Sequence, residues 1–437
     1  MKLHGTATIN ERGNLAIGGC DATDLIKEFG SPLYVMDEAH LRENCRKYYQ
    51  AFSASGAGEV LFASKAFMTM AMCRLVEQEG LGLDVVSGGE LYTARRAGFP
   101  MEKVYFHGNN KTPAELRQAI EYGVGHIVVD NLYEADLLNA IAGETGALVR
   151  VLLRITPGID CHTHEFVRTG QIDSKFGFTL PTGQALAGVK AVLERGNLIY
   201  DGLHCHIGSQ IFELESFGYA AEVMMTFIDE IRRETGVETA ILNLGGGFGI
   251  RYTEADTPGD VAEYARIVLS AVALEAEKRG LPTPKVLVEP GRSIVATAGT
   301  TLYTVGSVKE IIGVRKYVAV DGGMTDNPRP ALYGSRYESM LANKATQEPE
   351  EVVSVTGKCC ESGDMLLWDV SLPKVESGDI LAVSCTGAYN YTMSMNYNRI
   401  GRPAVVFVRD GKAAVVVERE SLDDLIRNDR IPPYLQR

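Results

Sequence analysis

Lys65 is the first residue whose type and position suggest chemistry. It follows the apolar run 60–63 after a single serine, Ser64, and apolar residues at helical spacing come after it. This pattern predicts a buried parallel strand that brings Lys65 to the end of a sheet. Burial lowers the pKa of a lysine and makes its amine a nucleophile capable of Schiff-base chemistry. The alternative is a strand-end lysine whose ammonium simply reaches water.

Other polar residues follow other predicted strands, always at the same end of the strand. In a (β/α)8 barrel the active site is built where the strands end, so these side chains are expected at one mouth. They supply carboxylates, imidazoles, hydroxyls, a glycine turn and a guanidinium: Asp84, Ser87, Glu90, His107, Asp130, His204, His206, Ser209, Gly245, Gly246, Gly247, Glu289 and Arg292.

The glycine-rich run 245–249 follows an apolar strand. Glycines let backbone N–H groups approach a phosphate closely. A dinucleotide-binding fingerprint does not fit, because Ile250 and Tyr252 stand where its third glycine is needed. A phosphate-binding turn and a plain tight turn both remain open.

Histidines at alternate positions, in the runs 204–206 and 161–164, raise the question of a metal. Alternate residues of a strand share a face, so His204 and His206 are able to point inward together. A zinc site needs three or four ligands at characteristic spacing, and a supporting acid is not evident. We therefore predict no metal. A histidine that stacks on a flat cofactor ring suits His206 equally well.

Glu289 ends the last of these strands and is followed by Pro290, Gly291 and Arg292. A salt bridge to Arg292 would account for the carboxylate. In a pyridoxal phosphate site, the same carboxylate would keep the pyridine nitrogen protonated, so that the ring can accept electrons.

Strands and amphipathic segments alternate between residues 60 and 290, and they must position these side chains. Eight strands with intervening helices predict an α/β protein with a TIM (β/α)8 barrel over residues 36–292, although a doubly wound open sheet explains the alternation almost as well. The predicted strands are 60–64, 82–87, 104–108, 126–130, 148–156, 199–208, 240–247 and 285–290. The predicted helices are 66–79, 88–98, 112–122, 131–142, 182–194, 213–235 and 258–280.

From about residue 295 the pattern changes to strands that follow one another with few helices. Asp410 and Gly411 form the Asp-Gly signal of a tight hairpin. Residues 1–35 contain short strands around a predicted helix at 24–29, which Gly30 closes. We predict a second, all-β domain (a barrel or sandwich) from residues 1–35 and 293–437, in which the N-terminal strands pair with the C-terminal ones.

Bulk properties narrow the class of protein. A chain of 437 residues is long enough for a barrel plus another domain, and a net charge of −13 argues against nucleic-acid or anionic-membrane binding. No window approaches the roughly 18 apolar residues of a membrane span, and residues 1–10 lack the apolar core of a signal peptide. The eight cysteines, two of them adjacent, show no disulfide framework. These features predict a cytoplasmic protein.

Taken in order and spacing, the motifs resemble the diaminopimelate decarboxylases, which belong to the fold type III (alanine racemase-like) pyridoxal phosphate enzymes. The resemblance covers nearly the whole chain. It implies a carboxy-lyase that converts meso-2,6-diaminopimelate, at its D-centre, to L-lysine and CO2 in the last step of bacterial lysine biosynthesis. It also implies a homodimer with shared active sites. The matching runs are 62–66, 84–91, 107–111, 174–178, 204–210, 245–249, 289–292, 329–333, 360–364 and 387–389.

The resemblance implies a role for each matching barrel residue. Lys65 would form the Schiff base, His206 would stack on the cofactor ring, and Glu289 would bond the pyridine nitrogen. Asp84 and Glu90 would belong to the polar network around Lys65 and His206. The phosphate would be held by Ser209, Gly245, Gly246, Gly247, Gly291, Arg292 and Tyr389.

The resemblance also implies roles outside the barrel. Cys360, catalytic together with Lys65 and His206, would come from the partner subunit and lie near the reacting carbon. Beside it, Glu361 would read the distal D-amino acid centre. Substrate would be bound by Arg292, Arg329, Tyr333 and Tyr389. Across the dimer interface, Lys175 and Asp364 would pair.

Three alternatives remain at this point. One is a related decarboxylase acting on ornithine, arginine or carboxynorspermidine. Against it, Glu361 beside Cys360 suits a substrate whose distal end carries an amino acid group. Another is an amino acid racemase with the same cofactor. A third is a non-catalytic pyridoxal phosphate carrier, against which the clusters around Arg329 and Cys360 speak.

Overall fold

The computed structural model describes residues 1–159 and 172–436, so the run 161–164 considered for a metal lies outside the described residues. The chain divides into two compact units. The β unit comprises Met1–Leu41, Tyr252–Glu254 and Val295–Arg437, and the barrel unit comprises Arg42–Arg251 and Ala255–Ile294. A division into domains after residues 35 and 292 stays a prediction.

The N-terminal segment of the β unit starts with a small antiparallel sheet. Its elements are β1 (Thr8–Ile9), β2 (Leu15–Ile17), β3 (Cys20–Asp21), helix α1 (Ala22–Phe29) and strand β4 (Leu33–Asp37). Asp21 caps α1 by accepting the N–H of Thr23, and Gly30 follows the helix at a φ of 76°, which suits glycine. Because β1 pairs with β2, the prediction that this first strand pairs with C-terminal strands is wrong.

Eight parallel strands of the barrel unit close into a barrel, since β8 pairs with β9 and β13 pairs with β5. This closure confirms the (β/α)8 prediction over the open sheet. A buried apolar cluster joins Leu61, Tyr105, Val128, Leu152 and Leu287 from five of these strands. The strands are β5 (Gly58–Ala63), β6 (Gly82–Val85), β7 (Val104–Phe106), β8 (His126–Val129), β9 (Val149–Thr156), β11 (Leu198–Cys205), β12 (Ile241–Asn243) and β13 (Lys285–Val288), with β10 (Phe178–Thr179) beside β9.

Helices alternate with these strands, and their ends follow local capping chemistry. At the start of α5, Thr112 and Glu115 cap one another's backbone N–H groups and Pro113 follows the cap. The helices at 38–48 and 292–295 were not predicted. The helices are α2 (Glu38–Tyr48), α3 (Met70–Gln78), α4 (Gly88–Arg96), α5 (Pro113–Tyr122), α6 (Leu132–Thr145), α7 (Gln184–Leu193), α8 (Glu215–Thr235), α9 (Val261–Arg279) and α10 (Arg292–Val295).

The main sheet of the β unit combines one strand from the N-terminal segment with strands from the C-terminal segment. Strand β4 lies antiparallel to β14 and parallel to β20, which confirms that N-terminal sequence completes the C-terminal sheet. The predicted hairpin is present between β20 and β21, with Asp410 and Gly411 both at positive φ. The elements are β14 (Gly299–Ile311), β15 (Arg315–Val320), α11 (Arg329–Tyr333), β16 (Ser339–Leu341), β17 (Glu351–Thr356), β18 (Met365–Leu372), β19 (Ile380–Ser384), β20 (Ala404–Arg409), β21 (Lys412–Val417) and α12 (Leu422–Ile426).

Among the described residues, none of the helices combines the length and the apolar character that a bilayer crossing requires.

Candidate active site

Lys65 lies on a single 3-10 turn, Ser64–Ala66, directly after β5. The preceding Ala63 donates its N–H to the carbonyl of Pro290 (3.2 Å). A Cβ on Gly291 would lie 3.0 Å from the Cβ of Ala63, so the Lys65 turn packs closely on the turn after β13. The Lys65 side chain is exposed, which agrees with the alternative of a strand-end lysine that reaches water, and its position at the strand end is as predicted.

Glu289 follows β13 and is the centre of a buried polar cluster, with 7% of its surface exposed. Its Oε1 accepts from Nδ2 of Asn243 (2.6 Å) and lies 2.9 Å from Nε2 of His107. Its Oε2 lies 3.1 Å from Nε2 of His204. Burial acts to raise the pKa of Glu289, but the two histidines outweigh it, and the net pKa is well below the usual value. The carboxylate is therefore an anion at neutral pH.

Asp84 and Arg154 complete this cluster. Asp84, in β6, is buried, and its Oδ1 lies 3.7 Å from Nε2 of His107. Burial raises the pKa of Asp84, and the charges of His107 and Arg154 act in the opposite direction. The guanidinium of Arg154, in β9, packs 4.1 Å from the ring centroid of Phe176. The cluster thus places two acids, two imidazoles and a guanidinium at the carboxyl ends of neighbouring barrel strands.

Arg154 and Asn243 were missed by the sequence reasoning. Arg154 interrupts the apolar residues 151–155 of β9, and Asn243, the last residue of β12, interrupts the apolar residues 241–244. A charged or amide side chain in a buried barrel strand is costly unless it has partners. That interruption was the available signal.

His206 follows β11 and is oriented by the glycine turn. The backbone N–H of Gly246 donates to Nδ1 of His206 (3.2 Å), so the neutral ring carries its proton on Nε2. Burial, followed by the charge of Lys65, lowers the pKa of His206 well below its usual value. A Cβ on Gly246 would lie only 2.2 Å from the carbonyl oxygen of Glu289, so this approach requires glycine.

The predicted phosphate-binding residues are partly brought together. Arg292 donates from Nη2 to Oγ of Ser209 (3.0 Å), which places a guanidinium beside a hydroxyl. In the glycine turn, the N–H of Gly245 already donates to Oδ1 of Asn243 (2.9 Å), and that of Gly246 is used by His206. Among the described residues none accepts the N–H of Gly247, so the proposed phosphate cradle depends on Gly247 more than on its neighbours.

Glu90 is the third residue of α4 and takes part in capping that helix. Its N–H donates to Oγ of Ser87 (3.2 Å), and its carboxylate accepts the N–H of Val86 (2.6 Å). Burial raises the pKa of Glu90 to about 6, while the charge of Lys65 acts to lower it. Glu90 therefore caps α4 and also interacts electrostatically with Lys65.

In the β unit, Arg329 and Tyr333 are the first and last residues of α11. Arg329 is 7% exposed, and its Nη1 donates to the hydroxyls of Tyr252 (3.0 Å) and Tyr337 (2.8 Å). Tyr389 contributes to the electrostatic environment of Arg329 and has a positive φ of 59°. Three of the predicted substrate-binding residues therefore belong to one neighbourhood of the β unit.

Cys360 and Glu361 lie exposed on the loop before β18. Asp364, at the end of this loop, is buried, and its carboxylate accepts the N–H groups of Met324 (2.6 Å) and Cys359 (2.8 Å). The structure therefore gives Asp364 a role in joining its own loop to the segment at Met324. Lys175 is exposed, and its pairing with Asp364 across a dimer interface stays a prediction.

His107, His204 and Glu289 also form a group whose potential metal-ligand atoms lie within 4.8 Å of one another. The same space contains the amide donor of Asn243, which bonds Oε1 of Glu289, and the charge of Arg154. Both repel a cation. These groups stabilise an anionic carboxylate and disfavour a bound metal ion.

The donor set fits pyridoxal phosphate. An exposed amine ends one strand, a buried anionic carboxylate follows the adjacent strand, and a hydroxyl, a guanidinium and a close-packed glycine turn lie at the same end of the barrel. A lysine for the Schiff base and an acid for the pyridine nitrogen are what such a cofactor requires. Fold and site together define a pyridoxal phosphate-binding barrel.

Comparison with known proteins narrows this class. Residues 38–296 match the family described as "Pyridoxal-dependent decarboxylase, pyridoxal binding domain". The chain is 54% identical over 430 residues to a diaminopimelate decarboxylase of Bacillus subtilis, covering 98% of each chain, and 46% identical to that of Synechocystis, covering 98% of this chain and 93% of the relative. Among solved structures, the diaminopimelate decarboxylase of M. jannaschii in complex with L-lysine matches with a TM-score of 0.92 at 37% identity, over 99% of each chain. The chain belongs to the pyridoxal-dependent decarboxylases and, within them, to the diaminopimelate decarboxylase family.

Proposed function

We propose that this protein removes the carboxylate at the D-centre of meso-2,6-diaminopimelate and releases L-lysine and CO2, with pyridoxal phosphate bound through Lys65. One observation carries the proposal: the adjacent strands β5 and β13 end in an exposed amine and a buried anionic carboxylate. The full-length similarity to diaminopimelate decarboxylases selects the substrate.

The cofactor, when bound, supplies a ring into which the electrons of the broken Cα–carboxylate bond can move. The chain prepares for this chemistry in three ways. Lys65 presents its amine at the mouth. Glu289 offers an anion that favours a protonated ring nitrogen. His206 presents an imidazole held neutral, with its proton on Nε2.

Substrate orientation is the other requirement, because the bond that breaks must stand perpendicular to the ring. We assign it to Arg292, Arg329 and Tyr333, with Tyr389. Cys360 and Glu361 of a partner subunit complete the site in this proposal, Glu361 by reading the distal amino acid group. The proposal therefore includes a homodimer.

The proposal also includes a cytoplasmic location and the last step of bacterial lysine biosynthesis. None of the seven cysteines in the described part of the chain forms a disulfide bond. Cysteines without disulfide bonds are expected in a reducing compartment.

The test is an assay of the purified protein supplemented with pyridoxal phosphate. We expect CO2 and L-lysine from meso-diaminopimelate, and neither from the Lys65→Ala variant, which should also lose the absorption band of the lysine-bound cofactor. Lys47→Ala is the matched control, since Lys47 is half exposed and pairs with Glu43 at the helix surface (2.7 Å).

Two results would contradict the proposal. Release of CO2 from ornithine or arginine, but not from meso-diaminopimelate, would indicate a related decarboxylase. A product with its carboxylate retained and its chiral centre inverted would indicate a racemase.

A further inference from the structure

Three polar side chains lie within about 3 Å of the carboxylate oxygens of Glu289. Asn243 donates to Oε1, and His204 lies at hydrogen-bonding distance from Oε2. His107 approaches Oε1 from a third strand. Asn243 is completely buried, and His204 is 1% exposed. Both oxygens are therefore engaged from neighbouring strands inside the barrel.

The orientation of both donors is determined by their surroundings. Oδ1 of Asn243 accepts the N–H of Gly245 (2.9 Å), so its NH2 group must face Glu289. Nδ1 of His204 is buried with no hydrogen-bond partner among the described residues. A buried N–H without an acceptor is costly, so the single proton of a neutral His204 belongs on Nε2, where Glu289 accepts it.

We propose that Asn243 and His204 are positioning residues that keep Glu289 ionised and in one orientation, and thereby determine how strongly the ring nitrogen of the bound cofactor holds its proton. The physical reason is that a pyridinium is stabilised by an adjacent fixed anion and loses that stabilisation when the acid is neutral or mobile. The proposal rests on cofactor binding by this barrel and is independent of the identity of the substrate.

Asn243→Asp gives the sharpest test, because it replaces a donor by an acceptor of the same shape, 2.6 Å from Oε1 of Glu289. Two carboxylates at this distance share one proton, so Glu289 is no longer a full anion. His204→Leu removes the second donor, whereas His204→Gln retains an N–H. His126→Gln is the matched control, since His126 pairs with Asp201 (2.9 Å) at the start of β8 and is not part of the site.

The readouts do not require turnover. Each apoprotein is titrated with pyridoxal phosphate to obtain an apparent dissociation constant, and the spectrum of the bound cofactor is followed against pH. We expect Asn243→Asp and His204→Leu to weaken cofactor binding by about tenfold or more, the size of a lost hydrogen bond to a charged group. The pH at which the ring loses its proton should fall in both variants. His204→Gln should stay close to the parent protein.

The proposal fails if Asn243→Asp and His204→Leu keep the affinity and pH profile of the parent, or if His126→Gln changes them equally. Circular dichroism of the apoprotein shows whether His204→Leu folds. If it does not, comparing the cofactor affinity and pH profile of Asn243→Asp with those of His204→Gln decides the same question. The proposal also fails if Zn²⁺ stabilises the parent apoprotein but not His204→Gln, because the cluster would then be a cation site. Failure of the decarboxylation assay alone would overturn the proposed substrate and leave this result intact.

Discussion

Gly246 donates its backbone N–H to Nδ1 of His206 across 3.2 Å, so a glycine turn after one strand decides which nitrogen of an imidazole after the next strand carries the proton. The two residues follow the paired strands β12 and β11. The charge of Lys65 further disfavours a second proton on this ring. The neutral state of His206 is thus a property of the barrel end rather than of the histidine alone.

Gly246→Ala should disturb this arrangement. Its Cβ would lie 2.2 Å from the carbonyl oxygen of Glu289, so the turn must move and His206 loses its donor. Overpacking of this kind costs about 1–3 kcal/mol, and we expect decarboxylation to fall by about tenfold or more while the protein stays folded. Gly196→Ala is the control, because a Cβ there meets nothing within 4 Å. Equal activity in the two variants would contradict the role given to the turn.

Glu90 predicts a dependence of stability on pH. Burial raises its pKa from the usual 4.5 to about 6, so the folded state binds this proton more tightly than the unfolded state does. Glu90 ionisation therefore costs stability as pH rises through about 4.5–6, and the cost is complete above that window. Glu90→Gln should be more stable than the parent by about 1–2 kcal/mol at neutral pH and equally stable near pH 4.

Thermal unfolding of the two apoproteins at both pH values measures this difference. Glu121→Gln, at an exposed position, should show no such dependence. A stability difference between parent and Glu90→Gln that does not change with pH would argue that the effect is capping of α4 rather than ionisation.

Lys111 and Glu134 form a buried ion pair, with Nζ and Oε1 2.8 Å apart and side chains 1% and 2% exposed. Nζ also donates to the carbonyls of Gly108 (2.9 Å) and Val128 (2.7 Å). Lys111→Met leaves Glu134 buried without its cation, which should cost about 3–5 kcal/mol, and Lys111→Met with Glu134→Leu should recover much of it.

Melting temperatures of the variants test this pair. The exposed pair of Lys190 and Glu234 is the comparison, since it lies at the same 2.8 Å with side chains 45% and 51% exposed. Lys190→Ala should change the melting temperature little. A similar loss in Lys190→Ala and Lys111→Met would show that burial is not what makes the first pair important.

Arg329 is held by the hydroxyls of Tyr252 and Tyr337, at 3.0 and 2.8 Å. Tyr252→Phe and Tyr337→Phe remove these acceptors while keeping the rings that pack on the guanidinium. We expect each variant to bind L-lysine, the proposed product, about fivefold more weakly, the size of one hydrogen bond. KM for the substrate should rise, with less change in kcat.

The measurement is the dissociation constant for L-lysine in the presence of cofactor, and Tyr133→Phe, at a tyrosine 68% exposed, is the control. Unchanged L-lysine binding in both tyrosine variants would mean that Arg329 does not need them for its orientation.

Some features of the site and fold could be predicted from the sequence, and others could not. Lys65 and Glu289 were identified because each follows a continuous apolar strand, and the register of such strands is strongly specified by burial. β1 was assigned the wrong partner, because a strand of two residues carries no periodicity from which to choose one. The sequence left open whether Lys65 is buried or reaches water, because the burial of a side chain at a strand end depends on neighbouring loops.

The sequence by itself determined the eight barrel strands, their order with the helices, and the amine, imidazole and carboxylate that end them, because those features depend on local apolar patterns and capping. Only the tertiary structure decided which of these groups meet. His204 and Glu289 are 85 residues apart in the chain, and Asn243 and Glu289 are 46 apart. A hydrogen bond needs its atoms within about 3 Å, and that separation is set by barrel closure and strand register rather than by any local preference of the chain.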